Sequence, residues 1–165
     1  MNKVKSPSFK SFLSFFPKVE LPLTLNDERA CLFSSHNKPL SQTDIDHFIG
    51  SWESEGDEFT EYVNCCRLKG TKDYDAIIYW KAGLKKYEYI LVTIDKKGVL
   101  INRKVIASTL IDGEIIKKSL AHITEDGIIQ IVAGAKMDTE NLYDPANSMS
   151  FSMEILPDGE VEFDM

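Results

Sequence analysis

Carboxylates crowd the stretch ESEGDEFTE, where Glu53, Glu55, Asp57, Glu58 and Glu61 fall within nine residues. At that density they could trade protons or hold a hard cation. They straddle a turn and the entry to a strand, however, where solvation accounts for them. Asp138, Glu140 and Asp144 form a second acidic group, but it lacks the glycine and terminal glutamate of an EF-hand loop. Cys65 or Cys66 with His122 could make a nucleophile and base. Neither cysteine sits at a helix N-terminus or among basic residues that would favour a thiolate. There is no CxxC pair, and the three histidines are far apart, which argues against zinc. Nucleophile-elbow, phosphate-loop and dinucleotide motifs are also missing. The expectation is no metal and no cofactor, with catalytic residues unassigned.

The aromatic residues carry a sharper signal. Tyr62, Tyr79, Trp80, Tyr87 and Tyr89 lie on three consecutive predicted strands. Tyr87 and Tyr89 share one strand face, and Glu88, Ile90, Val92 and Ile94 share the other. If the aliphatic face is the core, the tyrosines project outward, as binding aromatics do. Trp80 joins them only if its strand pairs in the matching register. The plainer reading is cross-strand pairing or contact with a covering helix. The candidate binding residues are therefore Trp80, Tyr87 and Tyr89, with Tyr143 and Asp144 from the polar run AKMDTENLYDPANS, which is longer than a hairpin needs.

Two helices and a run of strands must position these residues. Phe9, Phe12, Leu13 and Phe16 have helical spacing, with Ser6 as N-cap, Pro7 at the first turn and Pro17 as the stop. Val19, Leu21, Leu23 and Leu25 then alternate with polar residues and Pro22, which predicts an edge strand or an extended segment draped over the fold. Ser41 and Asp44 cap a second helix whose apolar face is Ile45, Phe48, Ile49 and Trp52. From about residue 58 the chain is rich in Ile, Val, Tyr, Phe and Thr, with glycine turns at 70, 83, 98, 113 and 127. Spacings of 13 to 15 residues leave no room for parallel crossovers, so the strands must form an antiparallel meander. Asp-Gly pairs such as Asp112-Gly113 favour type I′ turns.

The predicted fold is α+β: a curled antiparallel β-meander of about seven to eight strands, its concave side covered by two short N-terminal helices. One domain, 1–165, is expected, with a helical and extended part at 1–56 and the meander at 57–165. A chain of 165 residues can bury a real core without disulfides or metals. The three cysteines, two of them adjacent, read as free thiols. Neighbouring strand residues point to opposite faces, so Cys65 and Cys66 are expected on opposite sides of the sheet.

The opening apolar run is too short for a signal peptide, and no window approaches a membrane span. A cytoplasmic protein with no membrane span is expected. A net charge of −7 disfavours nucleic acid and favours a basic partner.

The succession of a Phe-rich helix, ELPLTL, DEFTEYV and AIIYWKAGLKKYEYILVTIDKKGVLI resembles small uncharacterised meander proteins of Bacteroidetes-type bacteria. That resemblance implies a bacterial origin and no assigned activity. Two functional expectations follow. The first is a non-enzymatic interaction module that binds a protein partner, as an immunity-type inhibitor binds a basic toxin. The alternative is a small-ligand-binding or carboxylate-based hydrolytic domain with its site in the mouth of the curled sheet.

Overall fold

The computed structural model describes residues 7–54, 58–137 and 149–164. Helix α1 (Phe9–Ser14) starts at Ser8, whose side chain accepts a hydrogen bond from the Ser11 N–H. The expected start, with Ser6 as cap and Pro7 in the first turn, is displaced by two residues: Pro7 precedes the helix, and Ser6 itself lies outside the described residues. Phe12, Leu13 and Phe16 are all buried, as their spacing predicts.

The chain then runs along the outer edge of strand β2 (Glu61–Leu68), where the Arg67 N–H donates to Pro17 O at 2.8 Å. It continues into the short strand β1 (Leu23–Leu25). Next comes helix α2 (Asp27–His36), which the sequence reading did not include. Asn26 caps it by accepting from the Arg29 N–H, but only Ala30 and Phe33 are buried along it. Two residues are too few to register as an apolar stripe. The predicted 42–52 helix forms with Ser41 as its cap, and its middle, Ile45–Ile49, is π-helical.

The remaining strands are β3 (Tyr74–Ala82), β4 (Lys86–Asp95), β5 (Leu100–Asp112), β6 (Ile115–Ile123), β7 (Ile128–Met137), β8 (Met149–Ile155) and β9 (Val161–Asp164). β2 to β9 pair in chain order as one antiparallel meander, and β1 pairs with β6. The α+β curled meander is therefore the observed fold. Hairpins β5 and β6 pair only between Thr109–Asp112 and Ile115–Lys118. Beyond that point they splay, and β1 takes the freed edge of β6 at Ala121–Ile123. Gly113 occupies the first position of the β5–β6 turn at φ 61°, and among the described residues only glycines have positive φ. That excludes the expected type I′ turn, which needs two such residues, and fits type II′.

Both faces of the sheet's centre are buried. One cluster joins Ala76, Ile78, Tyr89 and Leu91 of β3 and β4 to Ile129, Ile131, Met153 and Val161 of β7, β8 and β9. Strands so far apart in the ladder meet only because the sheet curls, so this is the concave interior. α2 and β1 contribute Ala30, Phe33, Leu23 and Leu25 to it. The opposite cluster packs Phe12, Phe16, Phe48 and Ile49 on Ile77, Tyr79, Ile90 and Val92. The two predicted helices thus cover the convex face, and the concave side is filled by the sheet's own far strands with α2 and β1. Phe12 stacks on Phe48 at 4.4 Å between centroids and meets Phe16 edge-on at 5.1 Å. Each such pair adds about 0.5–1.5 kcal/mol beyond its burial.

A second correction concerns Cys65 and Cys66. The β2–β3 register shifts between Asn64 and Cys66, and this bulge turns both sulfurs into the concave core. An extra residue in a strand breaks the alternation that placed them on opposite faces. Two asparagines hold the bulge in place. The Asn37 side chain donates to Asn64 O and Cys65 O at 2.7 and 2.8 Å, and that of Asn64 donates to Phe15 O and Lys38 O at 2.6 and 3.0 Å.

Candidate functional site

The β3–β4 ladder sets Trp80 opposite Tyr89 and Ala82 opposite Tyr87, which is the register that puts all three rings on one face. Trp80 meets Tyr89 edge-on at 4.5 Å and lies nearly parallel to Tyr87 at 5.9 Å, with 18° between the planes. That face is the concave one, however, and it is not left bare. Tyr89 is 1% exposed, and its hydroxyl donates to Asn26 O at 2.6 Å, just before α2. Burial first, then the neighbouring Cys65 and Asp27, pushes its phenol well above the usual tyrosine range. Tyr89 is a core residue that positions α2, because β4 is covered on both faces instead of one.

Trp80 and Tyr87 remain half-buried. They form one wall of a cleft of about 360 Å³ between α2 and the ends of β2, β3 and β5. Ala30, Val63 and Ala82 give it an apolar floor, and Asp27, Glu61 and Thr109 supply oxygen atoms. Asp27 is anchored from two sides, accepting from Thr109 Oγ1 at 3.1 Å and from Lys118 Nζ at 2.6 Å. Cys31, the exposed thiol of the three, lies on the cleft wall supplied by α2. Sequence reasoning missed this wall because α2 itself was missed; the acidic first turn after Asn26 was the available signal. Tyr143 and Asp144, the loop candidates, lie outside the described residues.

On the convex face the acidic stretch resolves into a different arrangement. The Glu53 side chain is only 3% exposed. Its carboxylate accepts from Tyr79 Oη at 2.8 Å, Lys81 Nζ at 2.9 Å, Arg103 Nη2 at 2.8 Å and Arg103 Nε. Burial alone would raise the Glu53 pKa, but hydrogen bonds from Arg103, Lys81 and Tyr79 outweigh it and hold the group below the usual carboxylate range. Tyr79 responds in the opposite direction, raised by burial and by the adjacent Glu53 charge. A saturated carboxylate of low pKa has no proton to deliver at neutral pH and no lone pair free to take one. Its work is to tie the end of the 42–52 helix to β3 and β5.

Burial pushes the Cys66 thiol up to about 12 and Cys65 well above its ordinary value, so neither is poised as a thiolate. His122 bonds instead to Thr24 through Nδ1 at 2.9 Å. Among the described residues, no three His, Cys, Asp or Glu side chains converge as a metal site. No helix among them is long and apolar enough to cross a membrane.

No family model, curated protein or solved structure matches this chain. Nothing in those comparisons bears on the resemblance to Bacteroidetes-type meander proteins.

Proposed function

We propose that the protein is a binding module that takes a small ring-bearing molecule into the cleft between α2 and the Trp80–Tyr87 wall. The observation that carries this reading is the cleft itself: two nearly parallel rings over an apolar floor, with a few oxygen atoms at its rim. Cavities of roughly 300–1,000 Å³ with that balance of apolar lining and sparse polar groups suit small-molecule ligands. A flat ring can stack on Trp80, and Asp27, Glu61 and Thr109 favour a ligand with a hydrogen-bond donor or a positive substituent. The test is a set of one- and two-ring aromatic amines followed by NMR, with Cys31 labelling by a maleimide as a second readout. Binders should shift the Trp80 indole resonance and slow Cys31 labelling, and Tyr87→Ala should abolish both effects. Binding that survives unchanged in Tyr87→Ala, or that leaves Cys31 fully reactive, would exclude this cleft.

A second reading, a protein partner anchored at the same end, draws on Phe59 and Leu84, which are 60% and 73% exposed. The β2–β3 register, with Glu61 opposite Ala82, brings both to the same end of the ladder as the cleft. Such apolar residues anchor interfaces when a partner covers them. Under this reading Phe59→Ser with Leu84→Ser would abolish partner capture and leave the amine-binding shifts intact.

A further inference from the structure

The opposite end of β3 carries a feature that the aromatic cleft does not use. Lys18 comes from the segment along the edge of β2, Arg67 and Lys69 from the end of β2, and Lys96 from the β4–β5 turn. Together they line a cleft of about 480 Å³. Among the described residues, four cations share it with one carboxylate, Asp75, whose Oδ1 engages Lys96 at 3.2 Å. Lys18, Arg67 and Lys69 are then in excess in a protein whose net charge is −7. No clustering in the chain announces this, because the residues are brought together by the parallel bridge between Lys18 and Arg67 and by the hairpin ends.

The second observation is an orphan donor. Arg67 Nε is buried and finds no acceptor among the described residues, whereas buried donors are nearly always paired. The backbone here is drawn in tightly: a side chain at Gly70 would meet Tyr74 O at 2.7 Å, so the Lys69–Thr71 turn that lines the cleft keeps its close approach to Tyr74 only with glycine. Guanidinium groups recognise oxyanions by parallel N–H···O bonds, and flanking lysines add charge without demanding geometry.

We infer that this corner is a binding site for a small oxyanion, a phosphate or carboxylate group, held by Arg67 with Lys18 and Lys69. It is independent of the aromatic cleft, from which it is separated by the length of β3.

The experiment uses the full chain at low ionic strength, titrated with inorganic phosphate and with acetate against matched sodium chloride. Calorimetry gives the affinity, and NMR of the backbone amides gives the location. Saturable binding of either anion beyond the chloride response is expected, with shifts at Lys18, Lys69, Gly70 and Thr71 and none at Ala82 or Tyr87. The tighter anion assigns the group. Arg67→Met should weaken binding by about tenfold or more, since it removes the charge-assisted fork. Lys85→Met, the same loss of charge at the far β3–β4 turn, should leave it unchanged. If Arg67→Met does not fold, Lys69→Met takes its place, with the same loss of affinity expected. Equal responses to both anions and chloride, or equal weakening by Lys85→Met, would overturn the proposal.

Discussion

Replacing Glu53 by Gln removes one negative charge from a site where two cations and a phenol converge on it. Breaking a buried ion pair from one side costs about 3–5 kcal/mol, because the remaining charge stays desolvated. Arg103 retains 29% of its side-chain exposure and Gln keeps one acceptor oxygen, which places the expected loss near the lower end, about 3 kcal/mol. The pH dependence supplies a sharper check. The folded carboxyl lies below its ordinary value of 4.5, so its stabilisation is fully present above that pH. It disappears as pH falls through the folded pKa. Urea unfolding followed by fluorescence is a suitable assay, since Trp52 stacks on Tyr79 beside the network. The gap between native protein and Glu53→Gln should stay constant from pH 7 to 5 and narrow below about 4.5. The denaturant slope should not change. A gap under about 1 kcal/mol at pH 7 would mean that the network behaves like a screened surface pair, and the reasoning would fail. A gap that does not narrow in acid would refute the assignment of the charge to Glu53.

Two further outcomes are expected. Phe12→Ala should destabilise by about 3–5 kcal/mol, because the ring is fully buried against Phe16, Phe48 and Trp52; a loss under 1 kcal/mol by urea titration would show that α1 is not part of the cooperative core. Among the three thiols, Cys31 should react with Ellman's reagent at pH 8 far faster than Cys65 and Cys66, which are buried with raised pKa values; two or more fast thiols in the native protein would contradict the packing around the β2 bulge.

Strand order and turn positions were legible in the chain because they are local properties. Period-two alternation encodes an extended backbone, and the glycines at 98, 113, 127 and 159 stand where the chain needs positive φ. Capping was equally local, and Ser41 performs it as its spacing to Asp44 suggests. The short turn at Gly83 pairs β3 with β4, but which register unites Trp80, Tyr87 and Tyr89 was left open by alternation and is supplied by the ladder itself.

Only the tertiary structure decided which faces are covered. Alternation in β4 separates Tyr87 and Tyr89 from Ile90 and Val92, but it cannot say that strands from the far end of the meander will curl back over the tyrosine side. The bulge at Cys65 depends on Asn37 and Asn64, which meet across 27 positions, and it reverses a side-chain direction that alternation alone would fix. Glu53 finds Arg103 50 residues away, and Arg67 meets Lys18 across an edge that no local pattern specifies. Local sequence sets backbone conformation through sterics and hydrogen bonding within a few residues. The clefts and charge clusters are made by contacts between distant segments, and those exist only once the sheet has curled and its helices have docked.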